Sequence, residues 1–392
     1  MLLSDGRDFT INLKIESFGM RILHLFSRIV VGVVFIFSGF VKGIDPLGMA
    51  YRIEDYFIAW DTQFMMPWAL TFSVLLCTME FVLGVVILFN LKPRVGAWIL
   101  LGVMSFFTLL TLYDAINNPV PDCGCFGDAI TLTNWQTFYK NMLLMVFTII
   151  LFSWRNKTRE SIGSAASYGI AAATTLMFVG LSLYCYRHLP VIDFMDWKTG
   201  NKMYVENPQP VQYFLIYRNK QSGETKEYLS PDYPFNDSVW MAQWEFVDTR
   251  IEDPNLFKGS DLQIIDSAGS DLTDLFIRNP AYQFILVAWD LEMADAGGLS
   301  AMNGFAEKAE ADGQGFIGLT SSLTPMIDSI KTRLNLSYDF YLADDIALKT
   351  MVRANPGLVL LKDGVVIDKW HFNDFPDYPW FEEKYLKPGK GK

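Results

Sequence analysis

Pro121-Asp122-Cys123-Gly124-Cys125-Phe126-Gly127-Asp128 places two of the chain's four cysteines one residue apart, between acids and glycines. Apolar runs stand on both sides of it. A bilayer core about 30 Å thick takes roughly 20 apolar residues of helix. Five segments meet or approach that length: 23–41, 66–91, 95–113, 136–154 and 162–186. The fourth has a charge-free core of 141–154 that extends back toward Trp135. Five such runs in series predict a membrane bundle rather than buried helices of a soluble fold. No small-residue cleavage site follows Val41, so the first run reads as a retained helix and not as a signal peptide.

Charge divides the 392 residues in two. Residues 1–186 hold 12 Lys+Arg and 12 Asp+Glu, whereas 187–392 hold 20 and 31, so the net charge of −11 lies in the second half. The reading is a transmembrane domain over 1–186, a linker over 187–210 and a soluble domain over 211–392. An acidic soluble half argues against nucleic acid as a partner, since phosphates need basic surface. Four cysteines are too few for a disulfide scaffold.

Cytoplasmic loops gather Lys and Arg. The N-terminal stretch has Arg7, Lys14, Arg21 and Arg28; the second loop has Lys92 and Arg94; the fourth has Arg155, Lys157 and Arg159. The third loop, 114–135, has Asp114, Asp122 and Asp128 and neither Lys nor Arg. That alternation predicts a cytoplasmic N-terminus, with the Cys-Gly-Cys loop and the C-terminal domain on the outer face. In a two-membrane bacterium this is the inner membrane, with the domain in the periplasm, a compartment that favours disulfides.

Glu80 falls midway along the second apolar run. A carboxylate there is expensive and is expected to face the bundle interior, paired or protonated. Lys42 and Arg52 are the candidate partners if the first loop folds into the bundle. Cys77, one turn before Glu80, reads as a small core hydrophobe.

Three stretches occur in order: Ser38-Gly-Phe-Val-Lys-Gly-Ile-Asp-Pro-Leu-Gly48, Met79-Glu-Phe-Val-Leu-Gly84 and Asp122-Cys-Gly-Cys-Phe-Gly127. The first two resemble the DoxX family of small membrane proteins. All three together resemble its MauE-like branch, which is linked to disulfide handling during methylamine dehydrogenase maturation. The resemblance covers about residues 20–155 and implies a DoxX-like four-helix bundle, to which the fifth helix is an addition that exports the C-terminal half. The wider architecture is similar to Bacteroidetes DoxX-family proteins with a thioredoxin-like tail.

In the soluble half, Gln212–Arg218 and Thr225–Leu229 flank a turn-rich stretch and predict a hairpin. A strand is expected over Trp240–Arg250, and a second hairpin over Leu262–Thr273. Strands at 283–289 and 315–319, helices at 298–312, 324–334 and 347–353, and a hairpin around Asp363-Gly364 follow the order of the thioredoxin fold. The expected fold class is therefore a membrane α-helical bundle followed by an α/β thioredoxin-like domain with extra N-terminal β-hairpins. The segment Ala354-Asn355-Pro356-Gly357 is similar to the cis-proline loop of thioredoxin-like proteins, which makes Asn355 and Pro356 candidate peptide-binding residues. The Cys-x-x-Cys that such proteins carry at a helix start is absent. The lost pair aligns near Met293 and Ala296, and 187–392 contains no cysteine. His371, alone past a strand, reads as a surface or cap histidine.

The chemistry therefore rests on Cys123 and Cys125. A Cys-x-Cys pair can close a small strained ring, and strained disulfides exchange readily. Attack needs a thiolate, which Asp122 and Asp128 disfavour. A redox pair, a static loop disulfide and a metal site all stay open, although two thiolates make half a zinc site with no His or third Cys near in sequence. Cys185, at the outer end of the fifth helix, can resolve a mixed disulfide or pack against lipid. The resulting expectation is a membrane-embedded thiol–disulfide accessory protein whose tail binds a periplasmic client or redox partner. The rival is a non-enzymatic envelope scaffold. No cofactor motif appears; a quinone within the bundle is compatible with the redox reading, but no residue pattern marks a site for it.

Overall fold

The computed structural model describes residues 5–120, 124–206, 209–252 and 262–387, with side chains from Gly19 onward. Cys123 lies outside the described residues. The chain divides into two compact units, Met1–Met195 with Trp370–Phe375, and Asp196–Lys369 with Pro376–Lys392.

The first unit is helical: α1 (Asp5–Gly43), α2 (Pro46–Ala59), α3 (Ala69–Leu88), α4 (Pro93–Asn117), α5 (Asn134–Trp154) and α6 (Ser164–Arg187). Five stretches are long and apolar enough to span a bilayer: Gly19–Gly43, Gln63–Leu88, Pro93–Asn117, Asn134–Trp154 and Ser164–Arg187. Their outer faces carry exposed Val33, Leu75, Leu109 and Leu176, as lipid contact requires. Val31, Phe35, Leu83, Ile87, Leu100, Met104, Leu144 and Leu151 meet at the centre, two from each of α1, α3, α4 and α5, which makes a four-helix core. α6 docks on its side, where Phe178 stacks on Phe81 with ring centroids 4.3 Å apart and Ser182 donates a hydrogen bond to the Gly43 carbonyl.

Two glycines set the α1–α3 distance. A Cβ on Gly39 would stand 2.6 Å from Phe81 N and 2.9 Å from Cys77 O. One on Gly84 would stand 2.6 Å from Ile36 N and 2.9 Å from Gly32 O. Small residues that let backbones touch are the usual way to pack helices in lipid, where no hydrophobic force draws them together.

α2 is an element that the first loop did not announce as a helix. Asp45 caps it by accepting from Gly48 N at 2.9 Å, and Pro46 occupies the first turn, where its missing N–H costs nothing. Ala50 and Phe57 of α2 pack with Ala69 against the start of α3.

The second unit has two sheets. β1 (Gln212–Asn219) pairs antiparallel with both β2 (Thr225–Leu229) and β3 (Trp244–Glu252), in the order β2-β1-β3. The first hairpin stands as expected. The strand expected from Trp240 begins only at Trp244, because Asp237 accepts from Val239 N and Trp240 N and starts α7 (Ser238–Gln243) instead. The second hairpin is reduced to one bridge, Ile265 to Asp271, around Gly269. There Asp266 accepts from Ala268 N and Ser270 N, so a side chain takes amides that a ladder would have used. α8 (Thr273–Ile277) follows.

The larger sheet has β4 (Tyr282–Val287), β5 (Gly315–Thr320), β6 (Phe340–Leu342), β7 (Gly357–Lys362) and β8 (Val365–His371) in the order β6-β5-β4-β7-β8. β4, β5 and β6 run parallel and β7 is antiparallel to β4. β4 and β7 are buried almost throughout, which explains their solid apolar runs. α9 (Ala296–Ala301), α10 (Asn303–Ala311), α11 (Thr324–Leu334), α12 (Asp345–Met351) and α13 (Tyr378–Phe381) complete the unit. This is an α/β domain with the mixed sheet of a thioredoxin-like fold. The peptide bond before Pro356 is cis, and so is the one before Pro231. β6, three residues long, has no sequence signal of its own. Gly200 N and Met203 N donate to the Val366 and Gly364 carbonyls, so this part of the expected linker pairs with the β7–β8 hairpin.

Replacing Gly39 with Leu should force α1 and α3 apart. Overpacking of this kind costs about 1–3 kcal/mol. Thermal unfolding of the detergent-solubilised chain should show a lowered midpoint for Gly39→Leu, while Gly102→Leu, at a position with open space around it, stays near wild type.

Candidate functional site

Three residues of α1 and α3 converge below the Cys-Gly-Cys loop. Ser38 and Lys42 are four apart on α1 and so share a face. Gly39 beside them brings that face against α3 at Glu80. Lys42 Nζ lies 2.7 Å from Glu80 Oε1 and 2.6 Å from Oε2, with Lys42 4% and Glu80 2% exposed. Of the two partners foreseen for Glu80, Lys42 holds it, whereas Arg52 pairs with Asp55 at 3.8 Å. The Ser38 hydroxyl is 2.8 Å from Glu80 Oε2 and 2.7 Å from the carbonyl oxygen of Cys125. A buried ion pair thus reaches the backbone of the dithiol loop through one hydroxyl.

The loop is held by its own residues as well. Gly124 takes φ +61°, a left-handed conformation that costs glycine nothing, and Gly127 N closes a turn onto the Gly124 carbonyl at 2.9 Å. The Phe126 ring packs on Phe37, with Lys140 Nζ 4.3 Å from its centroid. α5 starts just beyond, with a reciprocal capping box between Thr133 and Gln136.

Beside this junction is a cavity of about 180 Å³ with largely apolar walls. Ser38, Lys42, Glu80 and Cys125 line one part of it, and Tyr56, Trp60 and Phe107 line others. An apolar cavity near this size holds a single six-membered ring in a well-studied protein. α2 contributes Tyr56, whose hydroxyl donates to Asp114 Oδ2 at 2.7 Å. This second buried carboxylate contact ties the first-loop helix to the end of α4.

The other expected site residues fall as follows. Cys77 is fully buried one turn before Glu80 and is a free cysteine. Cys185 is a buried free cysteine on α6 whose thiol meets the Val191 backbone. In the second unit Pro356 is buried and Asn355 is turned inward: its carbonyl accepts from Asp295 N at 3.1 Å and its amide donates to Asp290 O at 2.8 Å. The segment where a thiol pair would stand therefore does face the cis-proline loop. It presents Met293, 70% exposed, and Asp295, which caps α9 by accepting from Gly298 N. His371 is buried and caps the next turn by accepting from Asn373 N. Among the described residues no group of three or more His, Cys, Asp or Glu is arranged to hold a metal ion.

Residues 20–154 match the family model described as methylamine utilisation protein MauE. That match covers α1 from residue 20 through α5, the four-helix core with its loop. The chain is also similar to Protein TlpB of Flavobacterium psychrophilum, 28% identical over 160 residues, which is 38% of this chain and 41% of that protein. The chain thus spans about two fifths of the length of that curated relative. No solved structure matches it. The chain is a multi-pass membrane protein with a MauE-type domain and an α/β thioredoxin-like domain.

Ser38, Tyr56, Asp114 and Lys140 were not singled out by their positions in sequence. Ser38 had the one available signal, since it lies four residues before Lys42 in the quoted Ser-Gly-Phe-Val-Lys run. Removing one partner of the ion pair should be worse than removing both. Lys42→Met leaves a buried carboxylate uncompensated and should cost about 3–5 kcal/mol, whereas Lys42→Met with Glu80→Met should recover most of it. Urea or thermal unfolding of the three chains measures this coupling directly.

Proposed function

We propose that this protein is a membrane-embedded thiol–disulfide accessory protein. Its Cys123–Cys125 pair exchanges disulfides on the outer face of the inner membrane, in the periplasm. Its cysteine-free thioredoxin-like domain, on the same side, binds a client or redox partner. One observation carries the reading: Cys125 lines an apolar cavity inside the helical unit, and its backbone is linked by Ser38 to the buried Lys42–Glu80 pair. A loop that needed only a static disulfide would not call for a buried charge pair beneath it. The match to a methylamine utilisation family and the resemblance to Protein TlpB support the same direction. Lys42, which lines the same cavity as Cys125, also supplies what the loop's own acids withhold, a nearby cation. Electrons would pass to a quinone, and the cavity's size and apolar walls suit a single ring.

The domain's part is binding. With no cysteine in 187–392, exchange there is excluded, while the backbone carbonyl and side-chain Nδ2 of Asn355 are engaged within the domain. The same fact favours the scaffold as second reading, in which the domain docks another envelope protein and the loop cysteines are structural.

Trapping separates the two. In cells, Cys125→Ser should accumulate mixed disulfides through Cys123, resolved by reducing agent on gels, and wild type should cycle between reduced and oxidised forms after a thiol pulse. Stable, non-exchanging cysteines together with full function of both serine variants would leave the scaffold.

A further inference from the structure

At the end of the helical unit away from Cys125, positive charge gathers almost unopposed. α3 finishes there at Leu88 and α5 at Trp154, while α1 continues past both toward its own N-terminus. His24 and Arg28, one turn apart on α1, meet those two ends. Arg28 Nη2 donates to the Leu88 carbonyl at 3.1 Å, and the ring centroids of His24 and Trp154 are 5.9 Å apart. Lys157, just beyond α5, has its Nζ 5.3 Å from the Trp154 ring centroid. The loop after α5 is tied to the same end: Asn90 Nδ2 donates to the Arg159 carbonyl at 2.7 Å, and Ser161 N donates to the Asn90 carbonyl at 3.2 Å.

Arg28, Arg94, Arg155, Lys157 and Arg159 have no carboxylate partner among the described residues. The one acid in these segments, Glu160, is taken by Lys92 at 3.0 Å. Arg28 is the most constrained of the five, because it stands inside the apolar span Gly19–Gly43. Its bond to Leu88 closes the C-terminal end of α3, where a cation is favoured, but uses only one of the guanidinium's five N–H donors. Its Nε is buried with no hydrogen-bond partner, so what it can still offer outward lies on the terminal nitrogens. An arginine does not shed its charge to suit an apolar surrounding, so this one calls for an anion.

We propose that this end of the bundle binds the phosphate of an anionic phospholipid, held by Arg28 and Lys157, with the acyl chains lying along the seam between α1 and α5. The His24–Trp154 contact brings the two cations to one seam. Arginine meets a phosphate with a planar fork and lysine with a point charge, and basic pockets between membrane helices recognise anionic headgroups in this way. The seam continues in apolar residues. Phe26 packs edge-on against Phe147 with centroids 5.8 Å apart, and Phe26, Ile29 and Val33 are exposed along α1. A cationic end above an exposed apolar strip matches a molecule that is charged at its head and apolar along its length. A free phosphate would use the first part alone. Trp154, between His24 and Lys157, stands where aromatic side chains mark the headgroup level. The site is independent of the redox reading, since Arg28 lies about 15 Å along α1 from Ser38.

The test uses the full chain in nanodiscs of phosphatidylcholine alone or of phosphatidylcholine with phosphatidylglycerol. Thermal unfolding is followed in both, and native mass spectrometry after detergent extraction counts the phosphatidylglycerol that stays bound. The wild-type chain should unfold at a higher temperature in the phosphatidylglycerol discs and retain that lipid. Each cation near an anionic headgroup is worth about a fivefold change in binding, so Arg28→Gln and Lys157→Gln should each lower retention about fivefold and remove most of the midpoint shift. Arg94→Gln removes the same charge from α4, outside the α1–α5 seam, and should leave both readouts near wild type. An Arg94→Gln loss equal to that of Arg28→Gln would overturn the site in favour of diffuse attraction. Equal midpoints and no retained lipid in wild type would overturn it outright. Inorganic phosphate added to phosphatidylcholine discs should not reproduce the shift; if it does, the site belongs to a soluble anion and the lipid assignment fails. Should Arg28→Gln not fold, Lys157→Gln against Arg94→Gln decides by the same criterion.

Discussion

The Lys42–Glu80 pair is the constraint on which the membrane unit turns. Two opposite charges in an apolar bundle cost several kcal/mol each to desolvate, and only close, multiple contacts offset that. Here Lys42 Nζ meets both carboxylate oxygens within 2.7 Å. That geometry needs α1 and α3 nearly in backbone contact, and Gly39 and Gly84 supply it on either side of the pair. A side chain at either glycine would open the gap and strand the charges. The loop above depends on the same approach, since Ser38 must stand between Glu80 and Cys125 at once.

The membrane half was legible because its signals are local. Apolar length marks the spans, and one carboxylate in an apolar run demands a partner. Lys42 could be nominated for that reason. Ser38 could not be assigned, since its role comes from touching two residues 42 and 87 positions away. The cavity is equally invisible in sequence: it is the space left between α1, α2, α3, α4, α5 and the loop at Cys125, and no helix was expected where α2 stands. In the soluble half, β4, β7 and the Asp363-Gly364 turn were readable from solid apolar runs and turn chemistry. The misread strand at Trp240 and the lost hairpin at Leu262 share one cause. In each, an aspartate side chain, Asp237 or Asp266, takes backbone amides that propensity had assigned to a ladder.

The thioredoxin-like domain keeps the architecture of a thiol site without its chemistry. The cis-proline loop and the start of α9 still face each other, through Asp295 N to Asn355 O and the Asn355 amide to Asp290 O. In a redox-active relative the amides at the helix start would stabilise a thiolate. Here Asp295 occupies them with a carboxylate of its own, donated to by Gly298 N. An anionic cap stands where a sulfur anion would be favoured, so adding cysteines alone would not restore a reactive site.

These two halves invert the usual division of labour. In a soluble thioredoxin-like protein, helix-start amides lower the cost of a thiolate and water handles the proton. At Cys125 the flanking Asp128 opposes the anion, and the site lies against an apolar interior. Lys42 and Glu80 line the same cavity as Cys125, and neither belongs to the domain that looks most like an oxidoreductase. The glycine-set distance between α1 and α3 is what lets Lys42 and Glu80 pair and Ser38 reach the Cys125 carbonyl, so the packing of two helices and the placement of one loop are a single physical problem.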